Sequence, residues 1–152
     1  MNRTVTLEAG EFAYREAGPP DGTPAVMLHG LGSKAATWDR IATGLAGRGY
    51  RAPALDQRGH GDSARTAGYS FEPLRDDVAG FADALRLGQF VLNGHSMGGT
   101  AACHVPQDLL AEAAARIPGS RLVTVDGAGH HLDREHPAEF LAHVTAFLAG
   151  QR

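Results

Sequence analysis

The stretch that decides the fold is FVLNGHSMGG, residues 90–99, in which a short apolar run leads directly into a glycine-rich turn. Residues 94–98 match the pattern Gly-x-Ser-x-Gly, in which a serine lies on a strained turn between a strand and a helix. Glycines flank such a serine because bulkier neighbours would clash there. Although glycine-rich turns also occur by chance, the apolar run before and the small residues after favour a functional turn. We therefore interpret Ser96 as a nucleophile.

A second motif, HGLG at residues 29–32, also follows an apolar run and is typical of an oxyanion loop. In this interpretation the backbone N–H of Leu31 joins that of Met97 in binding the negatively charged oxygen of a tetrahedral intermediate. Loss of one such donor typically lowers the rate by about 10²–10³-fold. By itself HGLG fits a plain turn equally well, and the serine turn is what favours function. The residues predicted to line the substrate site are His29, Gly30 and His95.

The predicted general base is His130, at the end of the glycine-rich stretch GAGH, residues 127–130. A serine hydroxyl is a weak nucleophile and needs a base within hydrogen-bonding distance. The chain contains eight histidines, and His130 is distinguished by following a predicted strand and by coming after the serine. His131 is its nearest rival.

Two further features are interpreted as structural. The charge-rich loop DQRGHGDS, residues 56–63, is predicted to be a turn in which Asp56 and Arg58 make local hydrogen bonds. Cys103, predicted to lie on the helix after the serine, is interpreted as a core residue and not as a nucleophile.

Predicted strands alternate with predicted helices along the chain, which indicates an α/β domain with a mostly parallel sheet and helices on both faces. We expect residues 1–152 to form a single domain, since this length suits one core. The predicted strands are an antiparallel edge hairpin over 5–14, then 25–28, 51–55, 90–92 and 122–125. The predicted helices are 38–45, 70–88, 106–116 and 140–148.

Composition excludes several classes of function. The net charge of −3 gives no reason to expect binding to nucleic acid or to an anionic membrane. A lone cysteine cannot form an internal disulfide, and no apolar run approaches the length of a membrane span. The N-terminal residues do not resemble a signal peptide. We expect a cytoplasmic protein that needs no cofactor or metal.

Taken together, HGLG, DQRGHGDS, GHSMGG and GAGH resemble the α/β-hydrolase family and occur in the order found there. The resemblance covers almost the whole chain. It implies the α/β-hydrolase fold and an activity like that of small-molecule esterases, lactonases, C–C bond hydrolases or related lyases. The serine at position 96 argues against branches of the family that use aspartate, such as epoxide hydrolases.

One part of the family pattern is missing between the serine and the histidine. In the family, that interval normally carries two more strand–helix units, a helical cap and the acid of the catalytic triad, but here only residues 97–129 lie between the two. The join between retained segments is predicted near residues 104–106. The weak candidate for a substitute acid is Asp126, and the other carboxylates in or beside the interval are Asp108, Glu112 and Asp133.

These observations predict a serine hydrolase that acts on small carboxylic esters or lactones through an acyl-enzyme. Two alternatives stay open, namely a shortened, inactive hydrolase-like protein and a module that binds a small ligand. If two core strands are absent, the exposed sheet edge also predicts that the chain could pair with a second copy of itself.

Overall fold

The computed structural model describes residues 2–99, Val123, Val125 and 129–150. Several predicted features therefore lie outside the described residues. They are Cys103, the join at 104–106, the helix at 106–116, the carboxylates Asp108, Glu112 and Asp126, and most of the strand at 122–125.

The described chain alternates strands with helices, as the sequence predicts. The strands are β1 (Asn2–Leu7), β2 (Gly10–Ala17), β3 (Thr23–Leu28), β4 (Tyr50–Leu55) and β5 (Val91–Gly94). The helices are a 3₁₀ turn (Ala35–Trp38), α1 (Asp39–Ala46), α2 (Phe71–Ala84), α3 (Leu132–Glu135) and α4 (Pro137–Ala149). Among these described helices, none has the length and apolar character needed to cross a bilayer.

The strands form a mixed sheet in the order β1-β2-β4-β3-β5. The edge hairpin of β1 and β2 is antiparallel, and β2 also runs antiparallel to β4. In contrast, β3 is parallel to both of its neighbours, β4 and β5. Leu28 at the end of β3 is in register with Leu55 and with Gly94. The residues that follow these three strands therefore meet at one edge of the sheet, where α/β folds bind their ligands.

Both faces of the sheet are covered by helices, which confirms the predicted fold class. All four side chains of residues 25–28 are fully buried, and they alternate between two apolar clusters. Val26 and Leu28 pack with Leu74, Val78 and Phe81 of α2. Ala25 and Met27 pack on the other face with Ile41 and Leu45 of α1. A two-residue period is what a strand buried on both faces requires.

Helix α4 packs against α1 and so places the loop that precedes it near the sheet edge. Its Leu148 is fully buried in the cluster that contains α1. The contact is close because α1 has a glycine at the crossing, where a Cβ on Gly44 would lie 2.5 Å from Leu141 Cδ2. The ring of Phe140 lies 5.9 Å from that of Trp38. The apolar stripe at 140–148 predicted this helix, whereas the short helix α3 was not predicted.

Candidate active site

Ser96 lies on a tight turn between β5 and the helical residues 97–99. Its φ angle is +50°, a conformation that residues other than glycine rarely adopt. The flanking glycines leave no room for side chains: a Cβ on Gly94 would lie 2.4 Å from Gly98 C, and one on Gly98 would lie 2.4 Å from Leu28 O. The turn is anchored to the sheet by the His95 backbone N–H, which donates to Leu28 O at 3.0 Å. This is the geometry expected of a strained strand-to-helix turn that carries a nucleophile.

The loop after β3 lies against this turn. A Cβ on Gly30 would come within 2.7 Å of His95 Nδ1 and 3.3 Å of Ser96 Cβ, so only a glycine fits there without displacement. The Ser33 backbone N–H closes the loop by donating to Gly30 O at 3.2 Å. Leu31 is 77% exposed. The loop backbone is therefore close to Ser96, while the side chain of Leu31 faces solvent.

His29 is fixed inside the fold. It is 1% exposed, and its Nε2 accepts a hydrogen bond from the Gln57 backbone N–H at 3.1 Å. Nδ1 must then carry the proton that it donates to Gly30 O at 2.8 Å. Burial lowers the pKa of His29 below 6.5 and outweighs the opposing effect of that Gly30 carbonyl. A role for His29 in binding substrate stays a prediction, and both of its ring nitrogens are engaged in shaping the loop.

A cluster of histidines surrounds His95. The ring of His130 lies 4.8 Å from that of His95, and the ring of His131 lies 4.9 Å from it. His95 Nε2 also donates to the backbone carbonyl of His130 at 2.5 Å. The predicted base is exposed and lies beside the residue that precedes Ser96. The fold thus brings His130, His131 and the serine turn together.

Two residues that sequence reasoning missed hold in place the loop at 129–131, here called the histidine loop. The Glu135 carboxylate accepts hydrogen bonds from the backbone N–H groups of Gly129, at 2.5 Å, and His131, at 3.3 Å. These donors, Gly129 first, lower the pKa of Glu135. Arg134 Nη2 reaches across to Ser33 Oγ and Thr37 Oγ1 at 3.3 and 3.2 Å. A glutamate a few residues after a glycine-rich loop was the available signal, because its carboxylate can bond back to that loop.

Asp133 is the one carboxylate of the four considered in the sequence that lies among the described residues. Its side chain is 3% exposed. Its Oδ1 has no hydrogen-bond partner within the described parts of the chain. The nearest described cation is the guanidinium of Arg134, with Nε 4.0 Å from Oδ2. A buried carboxylate in this state is energetically unfavourable unless something compensates its charge.

The charge-rich loop at 56–63 is structural, as the sequence analysis proposed. Asp56 accepts hydrogen bonds from the backbone N–H groups of Ala35, at 2.5 Å, and Asp62, at 3.1 Å. Arg58 forms a two-pronged ion pair with Asp77, at 2.6 and 2.7 Å, and both residues are buried. These contacts tie the loop to the helices around it.

A cavity of about 330 Å³ opens at the other end of the parallel strands. Thr23, at the start of β3, and Gln89 and Phe90, just before β5, contribute to its wall. Because Ser96 follows the end of β5, this cavity is not the site of the serine chemistry.

Comparison with known proteins places this chain in one large class, the α/β hydrolases. A protein-family model described as serine aminopeptidase, S33, matches residues 20–136. A non-heme chloroperoxidase from Streptomyces lividans is 37% identical over 100 residues, covering 65% of this chain and 36% of its own. Another, from Burkholderia pyrrocinia, is 33% identical over 126 residues, covering 82% of this chain and 45% of its own.

The fold is also found in solved structures. The crystal structure of an epoxide hydrolase from Vigna radiata superposes with a TM-score of 0.64 at 30% identity, over 68% of this chain and 33% of its own. The chain therefore belongs to the α/β-hydrolase family, within the group that the serine aminopeptidase S33 model describes. It spans less than half the length of the two chloroperoxidases, in line with the shortening inferred from the sequence.

Proposed function

We propose that the protein is a serine hydrolase that acts on small carboxylic esters or lactones through an acyl-enzyme. The observation that carries this proposal is the conformation of Ser96, which lies at φ +50° between two glycines that admit no side chain. Such strain is retained where the surrounding structure fixes it, most often at functional sites.

The proposed mechanism uses groups at the carboxyl edge of the sheet. Ser96 Oγ attacks the carbonyl carbon of the ester while its proton passes to His130. The backbone N–H groups of Leu31 and Met97 stabilise the oxyanion. The intermediate then collapses, the alcohol leaves with the proton from His130, and the acyl group remains on Ser96. Water, deprotonated by the same histidine, attacks the acyl-enzyme and releases the acid and the free serine.

The substrate class is inferred from the nucleophile and from the openness of the site. Names of the relatives include chloroperoxidase and epoxide hydrolase, so they do not agree on one substrate. A serine forms an ester intermediate, which favours acyl transfer over the aspartate chemistry associated above with epoxide hydrolases. Leu31, beside the serine turn, faces solvent. We therefore expect small activated esters, which depend little on binding by the protein, to be the substrates that react first.

Turnover is expected to be slow unless a carboxylate orients the base. In a serine protease, amide replacement of the triad aspartate lowers turnover by about 10⁴-fold. Covalent labelling is thus a more sensitive test than steady-state hydrolysis, because a single reaction with Ser96 is enough to give a signal.

The decisive experiment is labelling with a fluorophosphonate probe. We expect the folded protein to be labelled and the Ser96→Ala variant to be unlabelled. Ser70→Ala is the matched control, since Ser70 is exposed and its side chain makes no capping hydrogen bond. It should label as the unmodified protein does. Absence of labelling in a folded sample would contradict the proposal and favour the inactive alternative.

The same assay identifies the base. We expect His130→Gln to slow labelling strongly and His131→Gln to slow it little. The reverse result would transfer the role of base to His131, the rival that the sequence left open.

A further inference from the structure

Three side chains beside the serine turn are of the types that bind metal ions. His95, His131 and Asp133 each offer a ligand atom, and these atoms all lie within 4.8 Å of one another. The three residues come from two segments, the turn after β5 and the start of α3. The hydrogen bond from His95 to the His130 carbonyl also joins these two segments.

Two of these side chains bury a polar atom that no described residue satisfies. Asp133 Oδ1 and His131 Nδ1 are both inaccessible to solvent and lack a hydrogen-bond partner within the described ranges. Leaving a buried polar group unpaired costs about 1–3 kcal/mol, and more if the group is charged. Because His131 and Asp133 both belong to this cluster, one ligand bound there would compensate both residues.

The hydrogen bonding of His95 also suits a metal ligand. Its Nε2 donates to the carbonyl oxygen of His130, which leaves a lone pair on Nδ1 in the neutral ring. Histidines that bind metals almost always donate their second ring N–H to a carbonyl or carboxylate, which fixes the tautomer. The contact to His130 fits that pattern.

We propose that His95, His131 and Asp133 form a binding site for a divalent transition-metal ion, with Zn²⁺ as the best match. Two imidazoles and a carboxylate are ligands that zinc commonly takes, with a water molecule in the fourth position. Zinc–nitrogen distances of about 2.1 Å place tetrahedral ligands about 3.4 Å apart. The three ligand atoms, now within 4.8 Å of one another, would move closer together when the ion binds. The ion would neutralise the buried carboxylate and link the histidine loop to the serine turn.

A second group of residues of the same types lies on the surface, at the start of α4 and along it. His136 and His143 flank Glu139, each with a ring nitrogen 3.9 Å from a carboxylate oxygen. Glu139 is half exposed, and the spacing is that of ordinary neighbours on a helix surface. This group supplies the matched control, because it contains the same residue types without a buried, unpaired carboxylate.

The test is a Zn²⁺ titration by calorimetry on untagged protein carrying Ser96→Ala, so that the result does not depend on the serine chemistry. We expect about one Zn²⁺ per chain. Asp133→Asn and His131→Gln should each weaken binding by at least the roughly 10–100-fold seen for weaker, outer-shell changes. Glu139→Gln should bind as the parent does.

Thermal unfolding gives a second, independent result. Zn²⁺ should raise the Tm of the parent and of Glu139→Gln but not that of Asp133→Asn, since a ligand stabilises only the state that binds it. If Asp133→Asn does not fold, His131→Gln decides the matter in the same two assays. A parent that binds no Zn²⁺, or binding that is lost in Glu139→Gln and kept in the other two variants, would overturn the proposal.

Discussion

Two loops at the same sheet edge differ in how their polar groups are satisfied. The loop at 56–63 is rich in charge and glycine, and its Asp56 and Arg58 are buried and hydrogen-bonded. The loop at 129–133 contains the exposed His130 and the buried, unpaired Oδ1 of Asp133. Charged residues in a glycine-rich loop are therefore a poor guide to chemistry on their own. Groups left unsatisfied by the fold are the better indicator.

The largest expected effect on stability concerns the loop at 56–63. Arg58→Ala should destabilise the protein by about 3–5 kcal/mol, because it leaves Asp77 as an uncompensated buried charge. Urea unfolding at constant pH measures this directly. Arg75→Ala is the matched control: Arg75 pairs with Asp76, and both are well exposed. That change should cost no more than about 1 kcal/mol. Equal effects of the two variants would contradict the structural role of the Arg58 pair.

The next effect tests whether the C-terminal region is part of the same cooperative structure. Leu148→Ala should destabilise the protein by about 2–5 kcal/mol, since it empties a fully buried site between α4 and α1. Leu31→Ala makes the same chemical change at a position that is 77% exposed and should stay within about 0.5 kcal/mol. Urea unfolding again gives the comparison. A Leu148→Ala protein as stable as the parent would mean that α4 does not share in the global transition.

Sequence patterns predicted the strands, the long helices and the serine turn better than the contacts of the loop at 129–133. Runs such as 25–28 and the stripe at 140–148 depend on periodicity, which local sequence reveals directly. The Gly-x-Ser-x-Gly pattern likewise predicted a turn that the structure describes. By contrast, the roles of Glu135 and Arg134 depend on which backbone groups the fold brings near them. The unpaired state of Asp133 was also unpredictable, because it depends on packing around α3 and not on neighbours in the chain.

A smaller effect separates strain at the serine turn from chemistry. Glycine adopts φ +50° without penalty, whereas alanine there costs roughly 1–2 kcal/mol. Ser96→Gly should therefore be more stable than Ser96→Ala by about 1 kcal/mol in urea unfolding. At Ser70, where φ is −71°, the order should reverse, because glycine there only adds entropy to the unfolded chain. The same order at both positions would mean that Ser96 is unstrained in solution.

The smallest effect is a pH dependence of stability that originates in His29, which is hydrogen-bonded to Gln57 of the loop at 56–63. Because the folded protein lowers the pKa of His29 below its usual 6.5, the unfolded chain binds the proton more readily. The contribution of His29 to the free energy of unfolding should be complete above pH 6.5. It should decline as the pH falls from there towards the lower pKa of the folded state. Long-range ¹H–¹⁵N NMR can follow His29 itself. Just below pH 6.5 it should show a neutral ring protonated on Nδ1, the tautomer required by the N–H donor of Gln57 at Nε2. An imidazolium signal for His29 in the folded protein at that pH would show that Gln57 does not hold the ring. The contrast between a hydrogen-bonded loop at 56–63 and a partly unpaired loop at 129–133 would then be contradicted.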